Sequence, residues 1–188
     1  MNTDIEIIQK VLAGNIAMYN LLVQRYRNKV FSLAYSIVSN REDAEEIAQD
    51  AFLKAFKGLQ SFKEKSSFGT WMYRIVVNTA LNKKKLKKLK TVEGENAITE
   101  DKQFDFDSLT DNLKRDDQKK FIRMALNAVN EQERLCLTLF YLNELSVKEI
   151  QEITGISESN VKVVLLRARK HLYEQLHKLL NCEVKNLI

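Results

Sequence analysis

The run Ser146–Arg169, SVKEIQEITGISESNVKVVLLRAR, decides the fold of the C-terminal half. It reads as two helices joined by a tight glycine turn, the second carrying Lys and Arg. Ser146 is placed to cap the first helix, and Glu149 can reach back to complete a capping box. Gly155 supplies the positive φ that a sharp helix–helix corner needs. Ser157 and Asn160 open a second helix whose Val161, Val164, Leu165, Ala168 and Leu172 fall on one apolar stripe. Ile150, Ile156, Val161 and Val164 also stand at the offsets from Gly155 that a helix-turn-helix core requires. In that arrangement the second helix enters the major groove and the first braces it. An ordinary helical hairpin is the plainer alternative, and those offsets argue against it.

Five Gly and no Pro suit an all-helical protein, because helix interiors exclude both. A hydrophobic content of 45% in 188 residues supports real cores, in one domain or two small ones. The net charge of +5 permits a polyanionic partner without requiring one. Cys136 and Cys182 have no metal-ligand spacing, and Cys136, inside an apolar run, reads as a buried thiol in a reducing cytoplasm. His171 and His177 do not share a helix face, so neither a metal site nor a cofactor is expected. The start, MNTDIEIIQK, is acidic and lacks the apolar run of a signal peptide or membrane span. A cytoplasmic protein is expected.

Working outward, Thr3 can cap a short helix ending near Gly14, with Ile5, Ile8 and Leu12 inward. A second helix, about Asn15–Ser39, carries Tyr19, Leu22, Val23, Tyr26, Val30, Leu33, Ala34 and Ile37 as a continuous stripe. Asn40 opens a third, running to about Gly58, with acids in its first turn and Ala44, Ile47, Ala48, Ala51, Phe52, Ala55 and Phe56 inward. After the loop Leu59–Ser67 a fourth helix spans about Phe68–Lys90. The acidic, turn-rich stretch TVEGENAITEDKQFDFDSLTDN, Thr91–Asn112, has no helical period and reads as a flexible linker. Helices over Asp116–Val129 and Glu131–Leu142 then precede the helix-turn-helix. The expected architecture is all-α: domains over 1–90 and 113–188, joined by a linker over 91–112.

Three blocks give this chain a resemblance to the sigma-70 family of bacterial RNA polymerase sigma factors, in its small extracytoplasmic-function (ECF) group. NREDAEEIAQDAFLKAFKGL, Asn40–Leu59, resembles the family's core-polymerase-binding helix. SFKEKSSFGTWMYRIVVNTALNKKK, Ser61–Lys85, is similar to its segment that melts and reads the −10 element. ELSVKEIQEITGISESNVKVVLLRARKHL, Glu144–Leu172, resembles its −35-reading helix-turn-helix. The blocks stand in the family's order and, with the helices between, cover nearly the whole chain. Two positions depart from the family pattern. Asn130 stands where Pro is common, but Asn is itself a good N-cap. Gln151 replaces a small residue after Ile150, which would alter packing inside the motif.

Each block offers a surface. The outer face of Asn40–Leu59 presents Glu46, Gln49, Asp50, Leu53 and Lys57, and Leu53 amid polar neighbours suits a protein interface better than a solvated face. The resemblance implies that this face docks the clamp helices of the polymerase's largest subunit. On the fourth helix, Trp71, Ile75, Val76 and Thr79 can pack inward, while Thr70, Arg74, Asn78, Asn82 and Lys85 form a file at spacings of three or four. Asn is disfavoured in helix interiors, so two a turn apart invite a second reason. Amides can bond base edges, which unstacked single strands expose. The loop with Lys63, Lys65, Ser66 and Ser67, flanked by Phe62 and Phe68, suits capture of a flipped base beside a phosphate backbone. The resemblance implies that such a loop reads a −10 base, with Trp71 on the same surface. KKKLKKLK, Lys83–Lys90, reads as a phosphate-contacting stripe.

On the recognition helix Ser159, Lys162, Val163, Leu166, Arg167 and Lys170 lie off the apolar stripe, and Lys162 and Arg167 are the best candidates for base or phosphate contacts. Ser157, Ser159 and Asn160 sit where helix N-termini favour phosphate. Arg169 could instead brace the scaffold through an ion pair. The resemblance implies three partners: core RNA polymerase, promoter DNA as duplex and melted strand, and an anti-sigma factor. The chain itself would be no enzyme. Roughly 20 linker residues reach about 70 Å, matching the 50–70 Å of about one and a half to two turns of B-DNA. The alternative, a helix-turn-helix repressor or activator that binds duplex alone as a dimer, leaves the Trp71–Asn82 block unexplained. A DNA-processing enzyme would need a catalytic constellation that the N-terminal half lacks.

Overall fold

The computed structural model describes residues 2–92, 122 and 124–186. The chain divides into two compact units, Met1–Lys102 and Gln103–Ile188. Among the described residues both units are helical and neither contains a strand, the expected class.

The first unit comprises α1 (Asp4–Leu12), a 3-10 turn (Ile16–Met18), α2 (Tyr19–Val38), α3 (Arg41–Gly58), a second 3-10 turn (Leu59–Ser61) and α4 (Phe68–Val92). Thr3 caps α1 in a capping box: its Oγ1 accepts from the Glu6 amide at 3.2 Å and the Glu6 carboxylate accepts from the Thr3 amide at 3.0 Å. The buried face of α1 is Ile7, Ile8 and Val11, so Ile5 and Leu12 are exposed, against expectation. Asp4 explains the rotation. Its carboxylate accepts from Arg25 and, at 2.5 Å, from the Tyr26 hydroxyl, which turns the Asp4–Ile7–Val11 face toward α2.

Ser39, in the left-handed conformation, closes α2, and Asn40 opens α3 by accepting from the Asp43 amide at 2.9 Å. Helices α2, α3 and α4 pack on one another in pairs. Leu22, Val30, Leu33 and Ile37 of α2 meet Ala44, Ile47, Ala51 and Ala55 of α3 and Met72, Val76, Val77 and Ala80 of α4. Fully burying each large aliphatic side chain is worth about 1.5–3 kcal/mol. The alanine row lets α3 lie close, and Ala48, Phe52 and Phe56 are only half-buried at its edge. Gly69 is equally constrained: a Cβ there would come within 3.1 Å of the Tyr26 ring.

In the second unit residues 124–128 are helical, followed by α5 (Glu131–Leu137), a π turn (Thr138–Leu142), α6 (Val147–Thr154) and α7 (Glu158–Asn186). Asn130 caps α5 by accepting from the Glu133 amide at 2.9 Å. The single helix expected over Glu131–Leu142 instead widens at Thr138, whose carbonyl accepts from the Asn143 amide at 3.0 Å. Arg169 Nε donates to the Tyr141 hydroxyl at 2.7 Å. Its guanidinium lies over the Phe140 and Tyr141 rings, 5.5 and 5.7 Å from their centroids. Arg169 therefore braces the scaffold, one of the two roles the sequence left open for it, and does so through aromatic residues and not through the ion pair considered for that role. Of the expected helix Asp116–Val129, residues 116–121 and 123 lie outside the described residues. Thr91 and Val92 of the expected linker complete α4, and its remainder, 93–112, lies outside them too.

Candidate polymerase and nucleic-acid interfaces

The helix-turn-helix is built as its sequence requires. Ser146 and Glu149 close a capping box on α6, with the Ser146 amide donating to the Glu149 carboxylate at 2.9 Å. Gly155 ends the helix at φ 73, where a side chain would be strained. Ile150 and Ile153 of α6 and Val161, Leu165 and Ala168 of α7 are buried together, with Ile156 and Val164 half-buried. The Gln151 side chain is exposed, so its departure from the family pattern disturbs no packing between the two helices.

This leaves one face of α7 open. Ser157, Ser159, Asn160, Lys162, Val163, Leu166, Arg167 and Lys170 are all exposed, Leu166 at 67%. Ser157 Oγ lies 3.4 Å from the Asn160 amide and 3.2 Å from Ser159 Oγ, so it serves the helix start itself. An exposed Leu and Val between cations suits base edges and thymine methyl groups in a major groove.

In the first unit the outer face of α3 exposes Glu46, Gln49, Asp50, Leu53 and Lys57. Leu53 is 58% exposed and forms one wall of an open apolar recess of about 580 Å³, lined also by Ile16, Val23, Phe52 and Phe56. Ile16, 62% exposed, was missed from the sequence. Its signal was an apolar residue placed between a Gly-Asn turn and a helix start, where nothing in the helical stripe needed it.

The expected file on α4 is mostly present. Arg74, Asn78, Asn82 and Lys85 are exposed along one side of the helix. Thr70 is not with them: it is 3% exposed, and Ser67 caps α4 beside it, with Ser67 Oγ accepting from the Thr70 amide at 3.0 Å and lying 2.8 Å from its hydroxyl. Thr70 belongs to the helix start and offers no surface to a strand. Phe68 is also buried, at 3%, packed edge-on against Tyr26. Only half-buried Phe62 and Trp71, with ring centroids 5.3 Å apart, remain accessible beside the loop. Lys63 and Lys65 are exposed there, Ser66 is half-buried, and Glu64 takes φ 56 in the bend.

The lysine run does not act as one uniform stripe. Lys83 lies 3.1 Å from Asp43 Oδ1 and 2.5 Å from Glu46 Oε2, and Lys87 pairs with Asp43 Oδ2. Helix α3 supplies the reason: Asp43 and Glu46, one turn apart, face the point where α4 crosses. Lys54 ties the same helices together, donating to Thr79 Oγ1 at 3.1 Å. Lys85 and Lys88 are exposed.

Comparison with known proteins shows which family the two units match. The Sigma-70 region 2 family model matches residues 22–89 and the Sigma-70, region 4 model matches residues 122–172. The ECF RNA polymerase sigma-E factor of Haemophilus influenzae is 30% identical over 191 residues, spanning 95% of this chain and 97% of the relative. The ECF RNA polymerase sigma factor SigW of Bacillus subtilis is 30% identical, spanning 92% of this chain and 96% of its own. Among solved structures, the sigma factor RpoE in complex with the anti-sigma factor NepR from Bartonella quintana superposes with TM-score 0.71 at 21% identity, over 85% of this chain and 96% of that one. CnrH in complex with the cytosolic domain of CnrY superposes with TM-score 0.64 at 19% identity, over 92% and 96%.

Proposed function

Because the chain belongs to the sigma-70 family of RNA polymerase sigma factors, in the extracytoplasmic-function group, we propose a division of its work among the three faces just described. The protein is a sigma factor: it joins core RNA polymerase and directs it to promoters. Residues 1–92 dock the polymerase and read the opened −10 element, residues 113–188 read the −35 duplex, and residues 93–112 join the two. It acts in the cytoplasm, where its polymerase is. Nucleotide addition belongs to the polymerase, so the chain needs no catalytic residues of its own.

The observation that carries this reading is the pairing of two unlike nucleic-acid faces in one chain. The α7 face presents Lys162 and Arg167 from a braced helix, which suits duplex. The α4 face presents Arg74, Asn78 and Asn82 beside the accessible rings of Phe62 and Trp71, which suits unstacked bases. A repressor has no use for the second face. Glu46, Gln49, Asp50, Leu53 and Lys57 then meet the polymerase, with the recess between Leu53 and Ile16 taking an apolar side chain of the partner.

Apolar residues left open at Leu53 and Leu166 support a further partner, an anti-sigma factor that covers the polymerase and DNA faces until a signal releases them. Recovery of an inhibitory partner in a native pull-down is the expected outcome. A pull-down without one would leave control to synthesis of the chain.

The function is tested by transcription from a pool of genomic fragments with core polymerase. Initiation at defined sites that depends on the protein is expected, together with weak binding of duplex by the protein alone. Tight symmetric footprints by the free protein, with no stimulation of core polymerase, would establish the repressor instead.

A further inference from the structure

Helix α4 carries Arg74 and six lysines but no acid, and its open side also carries leucines. Leu81, Leu86 and Leu89 are between 46% and 59% exposed. Spacings of three and four bring Trp71, Arg74, Asn78, Leu81, Lys85 and Leu89 to one side of the helix, with Leu86 at its edge. The row from Trp71 to Leu89 is about 27 Å long. Lys83 and Lys87 are held by carboxylates of α3, so Arg74, Lys84, Lys85 and Lys88 supply the outward charge. Phosphate contacts along a strand need only the cations. Leucines set between lysines, with the half-buried rings of Phe62 and Trp71 at the far end, have a use where hydrocarbon lies just beneath a layer of anions.

We propose that this side of α4 lies on an anionic lipid surface, with its leucines at the headgroup–acyl boundary and its lysines on the lipid phosphates. Charge complementarity selects the surface, because a helix side with cations and no acid is drawn to anionic headgroups. The lysine stems lie along the boundary while their ammonium groups stay in the headgroup layer. The half-buried indole of Trp71 fits the same depth, apolar in body and polar at one edge. The contact is peripheral: among the described residues no helix is long and apolar enough to cross a membrane. It also covers Asn78 and Asn82, so a molecule on the membrane cannot hold an opened strand on α4. That exclusion rests on the assignment of α4 to the strand, whereas the lipid contact itself does not.

The test follows cosedimentation of the full-length chain with vesicles of phosphatidylcholine alone, or of phosphatidylcholine and phosphatidylglycerol in equal parts. Binding to the anionic vesicles alone is expected, weakened by salt but not abolished, because the apolar part is unscreened. Lys85→Gln with Lys88→Gln should lower the partition coefficient about 25-fold at low salt, near fivefold for each lysine. Leu86→Gln with Leu89→Gln should lower it roughly tenfold and remove the salt-resistant remainder. Leu89→Gln alone replaces the pair if Trp71 fluorescence in urea shows the fold disturbed. Tyr173→Ser removes an equally exposed ring from the second unit and should change nothing. Wild-type binding that ignores lipid charge, undiminished binding by the leucine variant, or an equal loss with Tyr173→Ser would overturn the proposal. Strand affinity of the leucine variant, titrated with oligo(dT), should be kept while its vesicle binding falls. Lost strand affinity beside wild-type vesicle binding would instead give the leucines to nucleic acid. Oligo(dT) should also displace the wild-type chain from vesicles, and a strand bound together with lipid would overturn the shared use of α4.

Discussion

Glu133, 4% exposed at the start of α5, holds His171 of α7 with a carboxylate oxygen 2.9 Å from Nδ1. The contact spans 38 positions of sequence and fixes the recognition helix against the helix that precedes the motif. Together with Arg169 on Phe140 and Tyr141, it sets the direction in which α7 leaves the unit.

Removing the partner of a buried carboxylate should be felt in stability before function. His171→Ala is expected to destabilise the second unit by about 1–3 kcal/mol, the cost of a buried acceptor left unsatisfied. Thermal unfolding followed by circular dichroism should show the loss, while the fluorescence of Trp71, the chain's one tryptophan, reports an unshifted first unit. An unshifted circular dichroism transition would show that water satisfies Glu133 equally well.

Much of this architecture was legible because it is encoded locally. Thr3, Asn40, Asn130 and Ser146 each sit at the cap position their types predict, since a cap is settled within one helical turn. The stripes of α2 and α7 were equally plain, being long enough for one period to dominate. What escaped depended on partners distant in sequence. Rotation of α1 follows from Asp4 meeting Arg25 and Tyr26, and burial of Thr70 and Phe68 follows from the packing of the α4 start on α2. Asp43 was visible only as a helix-start acid. Its grip on Lys83 and Lys87 needs the crossing of two helices, which spacing along one of them does not show.

That grip should appear in the pH dependence of the first unit. The Asp43 pKa is lowered from its ordinary 3.8, so its contribution is present above that value and is lost as pH falls through the lower, folded-state one. Lys83, raised in the folded state, keeps its contribution until pH climbs through its own elevated value. Stability near neutrality therefore contains both. Asp43→Asn should lower the urea midpoint read from Trp71 at neutral pH and flatten its decline into acid. An acid limb as steep as that of the wild type would place the titrating group elsewhere.

On the polymerase face, Asp50→Arg together with Leu53→Ala should leave the helical signal intact, because both side chains are exposed on α3. Association with core polymerase should fall, since the change reverses a charge and removes the wall of the recess shared with Ile16. Unchanged association in a pull-down, with unaltered circular dichroism, would move the interface off this face.

On the duplex-reading face, Lys162→Ala and Arg167→Ala should each weaken promoters that depend on the upstream element by about 1–3 kcal/mol, the worth of a good base contact. Polymerase association should be spared. Normal transcription from such promoters by both variants would mean that α7 presents a different side to the groove.

The two amides of α4 offer the sharpest separation of structure from function. Asn78 and Asn82 are exposed, and Asn is a poorer helix former than Ala by up to about 0.7 kcal/mol. Asn78→Ala and Asn82→Ala should therefore hold or raise the stability of the first unit, measured by Trp71 fluorescence in urea. If the amides serve bases of the opened strand, the same changes should impair opening at the −10 element more than initial binding of closed duplex. A pre-melted template should restore the part of the defect that lies in opening and leave the part that lies in base reading. Permanganate footprinting of the −10 region, run beside a duplex-binding assay, distinguishes the two. Wild-type opening by both variants, with stability raised, would show that the amides are carried at a small cost to the helix and read nothing.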